Sequence, residues 1–504
     1  MREFCLTTFV LLLMASGAAA QDHERTSLET QDCLGCHTTT HPGMVESWRK
    51  SRHANTTPGE AMQAEPLALK VSSKDVPENL QKVTVGCAEC HTLRPDKHQD
   101  TFDHMGYQVH VVVSPDDCAT CHSEEREQFS HNLMSQARTN FVDNPLYQDL
   151  QRVINGQPVV KDGKVEFEPT EIETYRESCL YCHGTKLTVT GTETRDTDFG
   201  VMDFPVFDGW PNQGVGRENL DGSLGACSAC HTRHSFSIEM ARKPYTCKEC
   251  HVGPDVPAFK VYEASKHGNI HSALGHTWDF KPVPWTIGKD FTAPTCASCH
   301  VSLLTNTDGE VVVERTHRMN DRLPWRIFGL IYAHPHPRDA NLTKISTSGL
   351  PLPTDFEGNF AEEHLVDKQE QQKRLETMQA SCKNCHDTSW VKGHFDRFEH
   401  TIHATNRATR TATKILENIW AEGLAQGPAQ GGSPFDEVPE RMWSDIWLLY
   451  ANHIRFASAM AGGGDYGTFA DGRYAMAKEI VKLQDWYESR RKAKELQEGE
   501  AGAP

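Results

Sequence analysis

Sixteen of the 17 cysteines in this 504-residue chain belong to one repeated pattern, Cys-x-x-Cys-His. The pattern recurs eight times, and the remaining cysteine, Cys5, stands near the first residue. We number the motifs one to eight in chain order: Cys33-Cys36-His37, Cys87-Cys90-His91, Cys118-Cys121-His122, Cys179-Cys182-His183, Cys227-Cys230-His231, Cys247-Cys250-His251, Cys296-Cys299-His300 and Cys382-Cys385-His386. The fold of this chain must therefore be organised around whatever these motifs hold.

Cys-x-x-Cys-His is the attachment site of a c-type haem, in which both thiols bond to the porphyrin and the histidine ligates the iron. For a single motif, a zinc knuckle or a disulfide would be an alternative. Eight copies with no cysteine left over favour eight covalently bound c-type haems. The apolar residues make up only 38% of the chain, and haems would supply further apolar surface to an interior.

The chain begins with the pattern of a secretory signal. Arg2 precedes an apolar run over residues 4–14 and the small residues Ala18, Ala19 and Ala20, so residues 1–20, with Cys5, are predicted to be a signal peptide. No later apolar run approaches the about 18 residues that a membrane-spanning helix needs. We therefore expect a periplasmic protein that is soluble after the signal is removed.

The formal net charge is -18. This charge argues against nucleic acid or an anionic membrane as a partner, and it favours a small basic electron carrier. We expect a soluble c-type cytochrome as that carrier.

The patterning divides the mature chain into two regions. Residues 21–365 form a haem-packed region with motifs one to seven, in which segments 153–169 and 301–318 predict short hairpins. Residues 191–225 are rich in Gly, Asp and Pro and predict an irregular connection. Residues 366–504 carry motif eight and show apolar residues at i, i+3 and i+4 spacing, which predicts long helices. The predicted class is mainly α, a multihaem cytochrome c with an irregular haem-packed core, short β-hairpins and a C-terminal bundle of long helices.

The chain has 27 histidines, far more than the eight within the motifs. His53 ends an amphipathic segment after motif one, and His131 follows motif three, so both are candidates for a sixth iron ligand. A protein in which every iron has six ligands carries electrons only, whereas an enzyme needs one open position. The histidine supply is compatible with both.

The motifs, together with WRKSRHA after motif one, CHTRHSF at motif five, CHVGPD and YEASKHG after motif six, LIYAHPHP, GLPLPTD and GGGDYGTFADGRY, resemble the octahaem hydroxylamine oxidoreductase family. The resemblance implies a mostly α-helical fold, commonly a homotrimer, with seven bis-His haems and one five-coordinate catalytic haem. The catalytic haem would be the fourth, held by Cys179, Cys182 and His183.

In hydroxylamine-oxidising members, a tyrosine of a neighbouring subunit is covalently attached to the catalytic haem. The best match is Tyr466, after the glycine run 462–464, and Tyr474 is the second choice. The alternative for Tyr466 is an ordinary turn tyrosine that packs in a helical interface.

The family also places an Asp-His pair after the sixth motif. Here Asp255 is present, but Val256 replaces the histidine. An Asp-His pair gives a base tuned near neutral pH, so this departure bears on the reaction. His271 or His276 could replace the missing imidazole. The alternative for Asp255 is a turn or helix-capping residue.

The resemblance further implies distal iron ligands, and these are His53, His131, His234, His267, His317 and His403. His334 and His336, which stand beside prolines, could ligate a haem or fix a loop.

These observations favour oxidation of hydroxylamine to nitric oxide or nitrite, with Asp255 accepting protons and the bis-His haems passing electrons to a c-type cytochrome. Nitrite and hydrazine are further candidate substrates. One alternative is a reductase that converts nitrite or hydroxylamine toward ammonia; all eight motifs end in His, which argues against a lysine-ligated active haem. The other alternative is a non-catalytic electron conduit.

Overall fold

The computed structural model describes residues 25–212, 214–345, 350–461, 464–469 and 472–501. The predicted signal peptide and the glycines at 462 and 463 lie outside the described residues. The chain divides into two compact units. Unit one comprises Met1–Ser130, described from residue 25, and Thr185–Ala241; unit two comprises His131–Gly184 and Arg242–Pro504.

This division differs from the predicted boundary at residue 365. Unit one carries motifs one, two, three and five, and unit two carries motifs four, six, seven and eight. The sequence boundary rested on helical periodicity, whereas the units follow which motifs contact each other, as described below.

Unit one consists mainly of short helices, several of them capped. Ser27 caps the first helix by accepting from the Thr30 N–H, and Ser114 forms a reciprocal capping box with Asp117. The α-helices are Leu28–Thr40, Pro42–Arg49, Arg52–Asn55, Pro58–Ala61, Glu78–Gln81, Ala88–His91, Pro115–Cys118 and Ser123–Ser130, with Ile238–Arg242 at the end of the unit's second segment. Single 3-10 turns occupy Pro66–Ala68, Pro95–Lys97 and Cys227–Ala229.

Two antiparallel hairpins complete unit one. The short one pairs Phe102–His104 with Tyr107–Val109, and the long one pairs Thr188–Thr197 with Gly200–Asp208. The prediction of an irregular connection over 191–225 was therefore wrong for residues 191–208. The strand alternates Thr with other residues, and Gly200 takes a positive φ of 111° at the turn.

The purely hydrophobic core of unit one is small. Its buried cluster in the described residues consists of Val112, Leu187 and Leu220. This agrees with an interior in which cofactors, rather than side chains, supply much of the apolar surface.

Unit two contains the long helices. Its α-helices are Ala137–Val142, Pro145–Asn155, Ile172–Glu177, Cys179–His183, Pro244–Lys248, Ala258–Ala264, Lys266–Leu274, Cys296–His300, Lys368–Lys383, Thr388–Ala421, Val438–Ser444, Ala451–Ala459, Gly464–Phe469 and Arg473–Ala501. A π-helical segment, Asp445–Tyr450, joins two of them. Single 3-10 turns occupy Gly275–Thr277, Met319–Arg322, Leu342–Lys344, Glu362–His364 and Pro428–Gln430.

The strands of unit two are short. Gln157–Lys161 pairs with Lys164–Glu168, which confirms the hairpin predicted over 153–169. In a three-stranded sheet, Leu304–Thr305 pairs parallel with Trp285–Thr286 and antiparallel with Val311–Val313, which confirms the hairpin within 301–318. A last antiparallel pair joins Trp325–Arg326 to His334–Pro335.

The main hydrophobic core lies among the C-terminal helices. The 34-residue helix Thr388–Ala421 starts at Asp387, whose carboxylate accepts from the Ser389 and Trp390 N–H groups. Its fully buried Leu416 belongs to one cluster with Trp443. About half of the chain is helical, with few short strand pairs and long C-terminal helices, so the predicted fold class is confirmed. Among the described helices, none is both long and apolar enough to cross a membrane.

Candidate functional site at the Cys-x-x-Cys-His motifs

The thiols of different motifs contact each other in unit one. The thiols of Cys33 and Cys87 are hydrogen-bonded, which raises the pKa of Cys87, and the same contact between Cys118 and Cys227 raises the pKa of Cys118. Burial, and to a smaller extent the negative charge of Cys121, also raise the pKa of Cys90. The motifs of unit one therefore form a continuous row in the order one, two, three, five.

Unit two has a second row. A hydrogen bond from Cys250 raises the pKa of Cys182, and one from Cys296 raises that of Cys247. Burial and then the charge of Cys382 raise the pKa of Cys299 to about 12. The order in unit two is therefore four, six, seven, eight, and no described motif cysteine forms a disulfide.

Among the described residues, four motif histidines have a second imidazole at 6.1 to 6.3 Å, and three of these pairs belong to motifs one, three and eight. The ring centroids of His37 and His104 are 6.1 Å apart, those of His53 and His122 are 6.3 Å apart, and those of His267 and His386 are 6.2 Å apart. Metal–imidazole bonds are about 2 Å long, so each gap accommodates one metal ion between two nitrogens. These residues fit bis-His haems at motifs one, three and eight.

Backbone carbonyls orient the imidazoles of motifs two and three, and that of motif four as described below. His91 Nδ1 donates to the His110 carbonyl at 2.8 Å, and His122 Nδ1 donates to the Lys70 carbonyl at 3.0 Å. A hydrogen bond at Nδ1 fixes the tautomer and leaves Nε2 as the ligating atom.

His104 was missed from the sequence, whereas His53 and His267 were predicted as distal ligands. His104 ends the first strand of the Phe102–Val109 hairpin. In the sequence, His104 is marked only by its place in a short segment with Tyr and Phe, FDHMGYQVH. Neither spacing nor composition assigns such a histidine to motif one.

His234 lies in the neighbourhood of motif two. Burial, together with the charges of His91 and Arg233, lowers its pKa to about 4. His110 also lies 6.1 Å from His91, but both of its ring nitrogens already pair with backbone carbonyls, those of Leu93 and Val112. His234 is therefore the better candidate for the distal ligand there.

The other predicted distal residues occupy varied positions. His131 is exposed, and His317 is partly buried, with its carbonyl accepting from Asn132. His403 is exposed and packs edge-on against Trp325. Their role as ligands stays a prediction.

The two histidines beside prolines are both buried. His334 Nδ1 pairs with the Thr354 hydroxyl at 2.8 Å, and His336 Nδ1 pairs with the Pro337 carbonyl at 3.2 Å. Both hydrogen bonds hold the loop, so the structure gives these residues at least a structural role.

Motif four has a different environment from motifs one, three and eight. His183 Nδ1 donates to the Ala137 carbonyl at 3.0 Å, and its ring packs against Phe141 at a centroid distance of 4.4 Å. Within the described ranges, no second histidine ring faces His183. Burial lowers its pKa, against the Ala137 hydrogen bond and the charge of Asp255, which raise it.

Asp255 lies within electrostatic reach of motif four. Burial is the main cause that raises the pKa of Cys179, and the Cys250 hydrogen bond is the main cause at Cys182; the charge of Asp255 raises both further. The same charge opposes the burial that lowers the pKa of His183 and of His251 in motif six. The Asp255 backbone carbonyl accepts a 3.1 Å hydrogen bond from Asn452 Nδ2, and Asn452 is fully buried. The structure thus brings together residues that the sequence assigned to one pocket.

Neither candidate for the missing imidazole lies against Asp255. His271 packs edge-on against Trp278 and Phe280, and His276 is exposed. Val256 adds no proton-transferring group. Of the residues that the sequence proposed for proton transfer, Asp255 is therefore the one that the described structure places at motif four.

Tyr466 belongs to the short helix Gly464–Phe469, and its ring lies 4.9 Å from that of His453, which is buried. Tyr474 is 58% exposed near the start of the last helix.

Unit one also holds a buried charge cluster that the sequence did not indicate. His98, His110 and Asp117 are close enough to suggest a metal site. However, Asp117 already accepts from Arg94 and His98, and both nitrogens of His110 are paired. Because these atoms are saturated, we interpret the cluster as an ion-pair network.

Comparison with known proteins agrees with this geometry. A family model for multihaem cytochromes, described as seven times multi-haem cytochrome CxxCH, matches residues 216–324. A solved structure named "Hypothetical multiheme protein" is 39% identical, with a TM-score of 0.87 over 94% of this chain and 97% of that chain. These matches agree with the fold of the chain and with its motifs.

Two further proteins come from Kuenenia stuttgartiensis. A "probable nitrite reductase-hydroxylamine oxidoreductase fusion protein" is 25% identical over 279 residues, which are 54% of this chain and 26% of that protein. The chain therefore spans about a quarter of that relative's length. The solved "reducing HAO-like protein complex" shares 19% identity with a TM-score of 0.61, covering 94% of this chain and 87% of that one, and supports the fold alone.

Proposed function

This chain belongs to the multihaem cytochrome family, and from that premise we propose that it is an exported, periplasmic oxidoreductase that oxidises hydroxylamine at motif four. The observation that carries the proposal is the combination, at motif four, of a His183 that no described histidine faces and an Asp255 whose charge acts on Cys179, Cys182 and His183. Motifs one, three and eight have paired imidazoles instead. The likeness to the nitrite reductase-hydroxylamine oxidoreductase fusion protein supports the substrate class.

Cys179, Cys182 and His183 would hold the haem at this site. When bound, it supplies an open coordination position and an electron acceptor. The chain's own contribution is to fix the imidazole, which the Ala137 carbonyl does from one side and the Phe141 ring from the other.

Asp255 is proposed to accept the protons that hydroxylamine loses on oxidation. A positioned base of this kind contributes typically about 10²–10⁴-fold to a rate. The Asn452 hydrogen bond to the Asp255 backbone fixes the segment that presents this carboxylate.

The row of motifs four, six, seven and eight supports removal of electrons from the site. We propose that they leave to a soluble c-type cytochrome. A homotrimer, in which Tyr466 of one copy reaches motif four of the next, completes the proposal, and it rests on the sequence resemblance alone.

The test is the Asp255→Asn variant, with Glu263→Gln as a control. Glu263 is an exposed acid in the neighbouring helix Ala258–Ala264. Hydroxylamine-dependent cytochrome reduction should fall about 100-fold or more in Asp255→Asn and stay unchanged in Glu263→Gln, with all haems attached in both. Unaltered turnover in Asp255→Asn would remove Asp255 from the mechanism.

Reduction of nitrite or hydroxylamine toward ammonia is the second candidate. Two observations favour it: Val256 replaces an imidazole, and Tyr466 packs on His453 of its own chain. Ammonia production from hydroxylamine by the chemically reduced protein, without cytochrome reduction in the opposite assay, would establish this direction instead.

A further inference from the structure

Arg326 is half-buried, and its guanidinium lacks an oxygen partner. Its Nε is buried without a hydrogen bond, and within the residues the structure describes, no carboxylate or carbonyl accepts from its other nitrogens. Burial lowers its pKa to about 10, so it remains charged at neutral pH. A guanidinium with a buried Nε and two unpaired terminal nitrogens is favourable only when it has an acceptor, so the group is available to an anion.

Two buried arginines of unit two also have an unpaired Nε, but their terminal nitrogens have partners. Arg322 Nη1 donates to the carbonyls of Ser298 and Cys299, both at 3.1 Å. Arg455 Nη2 donates to Asn406 Oδ1 at 2.8 Å. The state of Arg326 is therefore not a general property of arginines in this interior.

The charge of Arg326 acts at motif four. It is one of the two side-chain charges that shift the pKa of His183, the other being Asp255. At motif seven, by contrast, the arginine that acts on His300 is Arg322. Burial and, next in size, the charge of Arg326 also lower the pKa of His334 and of His336.

Ring packing connects Arg326 to motif four. The Phe141 ring lies 4.4 Å from that of His183 and 6.0 Å from that of Tyr147. A Cβ at Gly329 would lie 3.2 Å from Arg326 Nη2 and 3.5 Å from the Tyr147 hydroxyl, so Arg326 lies beside the aromatic pair that packs on motif four.

The guanidinium is held in a defined plane. It lies over the Phe328 ring, 4.4 Å from the centroid. Gly329 has a φ of 73°, and a Cβ there would lie 3.2 Å from Arg326 Nη2, so a larger residue would crowd the fork. The pairing of strand Trp325–Arg326 with His334–Pro335 fixes the backbone.

We propose that Arg326 binds a propionate carboxylate of the haem at motif four and raises the reduction potential of that haem. A planar guanidinium matches a carboxylate with two parallel hydrogen bonds. Without Arg326 the propionate keeps an uncompensated negative charge, which favours the ferric over the ferrous state. This inference rests on the proposed haem at motif four, and it concerns a positioning residue.

The experiment compares wild type, Arg326→Gln, Arg326→Lys and the control Arg410→Gln, at an exposed position of the helix Thr388–Ala421, by spectroelectrochemical titration without substrate. The potential of the high-spin haem should shift negatively in Arg326→Gln and less in Arg326→Lys, whose point charge lacks the fork. Arg410→Gln should match wild type. Haem content, measured in each variant, should be complete.

An unchanged potential in Arg326→Gln together with weaker nitrite binding would overturn the inference, because the anion would then be the substrate. Should Arg326→Gln not accumulate, the Arg326→Lys variant decides: a wild-type potential refutes the role and a negative shift supports it. A low-spin haem at motif four would refute the proposed function instead. The change in reduction potential caused by Arg326→Gln would still be measurable on that haem.

Discussion

At the scale of single residues, the second imidazole decides whether an iron is open or closed to a ligand. His104 faces His37 and is expected to close motif one. The His104→Ala variant should therefore gain one further high-spin, carbon monoxide-binding haem, because His41, the other imidazole beside His37, meets that ring at Nδ1 and not at the ligating Nε2. Carbon monoxide difference spectra of the reduced protein measure this gain.

His276→Ala is the control for that experiment, since His276 is exposed. An identical spectrum for His104→Ala and wild type would show that another group ligates motif one.

The ion-pair network of unit one predicts a pH dependence of stability. Burial disfavours the charged form of His98, but Asp100 and Asp117 outweigh it and raise the pKa to about 9 from 6.5. The raised pKa stabilises the fold fully below pH 6.5, and this contribution of about 3 kcal/mol is lost as the pH rises through 9.

Denaturant unfolding of wild type and His98→Asn between about pH 6 and 10 measures this contribution. The wild type should lose its advantage over the variant progressively toward the alkaline end of that range. A constant difference throughout would show that His98 does not titrate as described. Arg94 and Asp221, which also belong to the network, are unchanged in both proteins.

At the scale of elements, the sequence predicted those helices and hairpins that are determined by local features, namely apolar spacing and turn residues. The C-terminal helices were visible because a dry core selects apolar residues at every third or fourth position of Thr388–Ala421. The hairpin 157–168 was visible through its turn, in which Asp162 and Gly163 both take positive φ. The hairpin 188–208 was not, because its first strand is exposed, threonine-rich and free of an apolar alternation.

The site was predictable only in part. The motifs themselves are contiguous, so the sequence contains them whole. The distal imidazoles and the contacts between motifs depend on tertiary structure: motif five, for example, contacts motif three through Cys227 and Cys118, which is not its neighbour in the sequence. For the same reason Arg326 had no signal in its surrounding sequence.

The C-terminal core provides a stability test for the helical bundle. Leu416 is fully buried in it, so Leu416→Ala should cost about 2–5 kcal/mol through lost burial and a residual cavity. Leu496→Ala, at a position 69% exposed in the last helix, should cost less than about 0.5 kcal/mol. Denaturant midpoints compare them, and equal midpoints would contradict the assignment of this core.

At the scale of the molecule, charge governs the encounter with the electron carrier. With a net charge of -18, electron transfer to a basic c-type cytochrome should slow steeply as ionic strength rises from about 0.01 to 1 M, since the screening length falls from about 30 to 3 Å. Stopped-flow reduction of the cytochrome measures the rate. A rate that is independent of salt would contradict a partner chosen by charge.

One haem of the eight, at motif four, is proposed to have an open coordination position. Quantitative electron paramagnetic resonance of the ferric protein, before and after addition of cyanide, tests this most directly. We expect one high-spin haem for the eight motifs, converted to low spin by cyanide, while the bis-His haems do not respond. A spectrum that is entirely low-spin and unaffected by cyanide would contradict the proposed site and would assign the protein to the non-catalytic conduits.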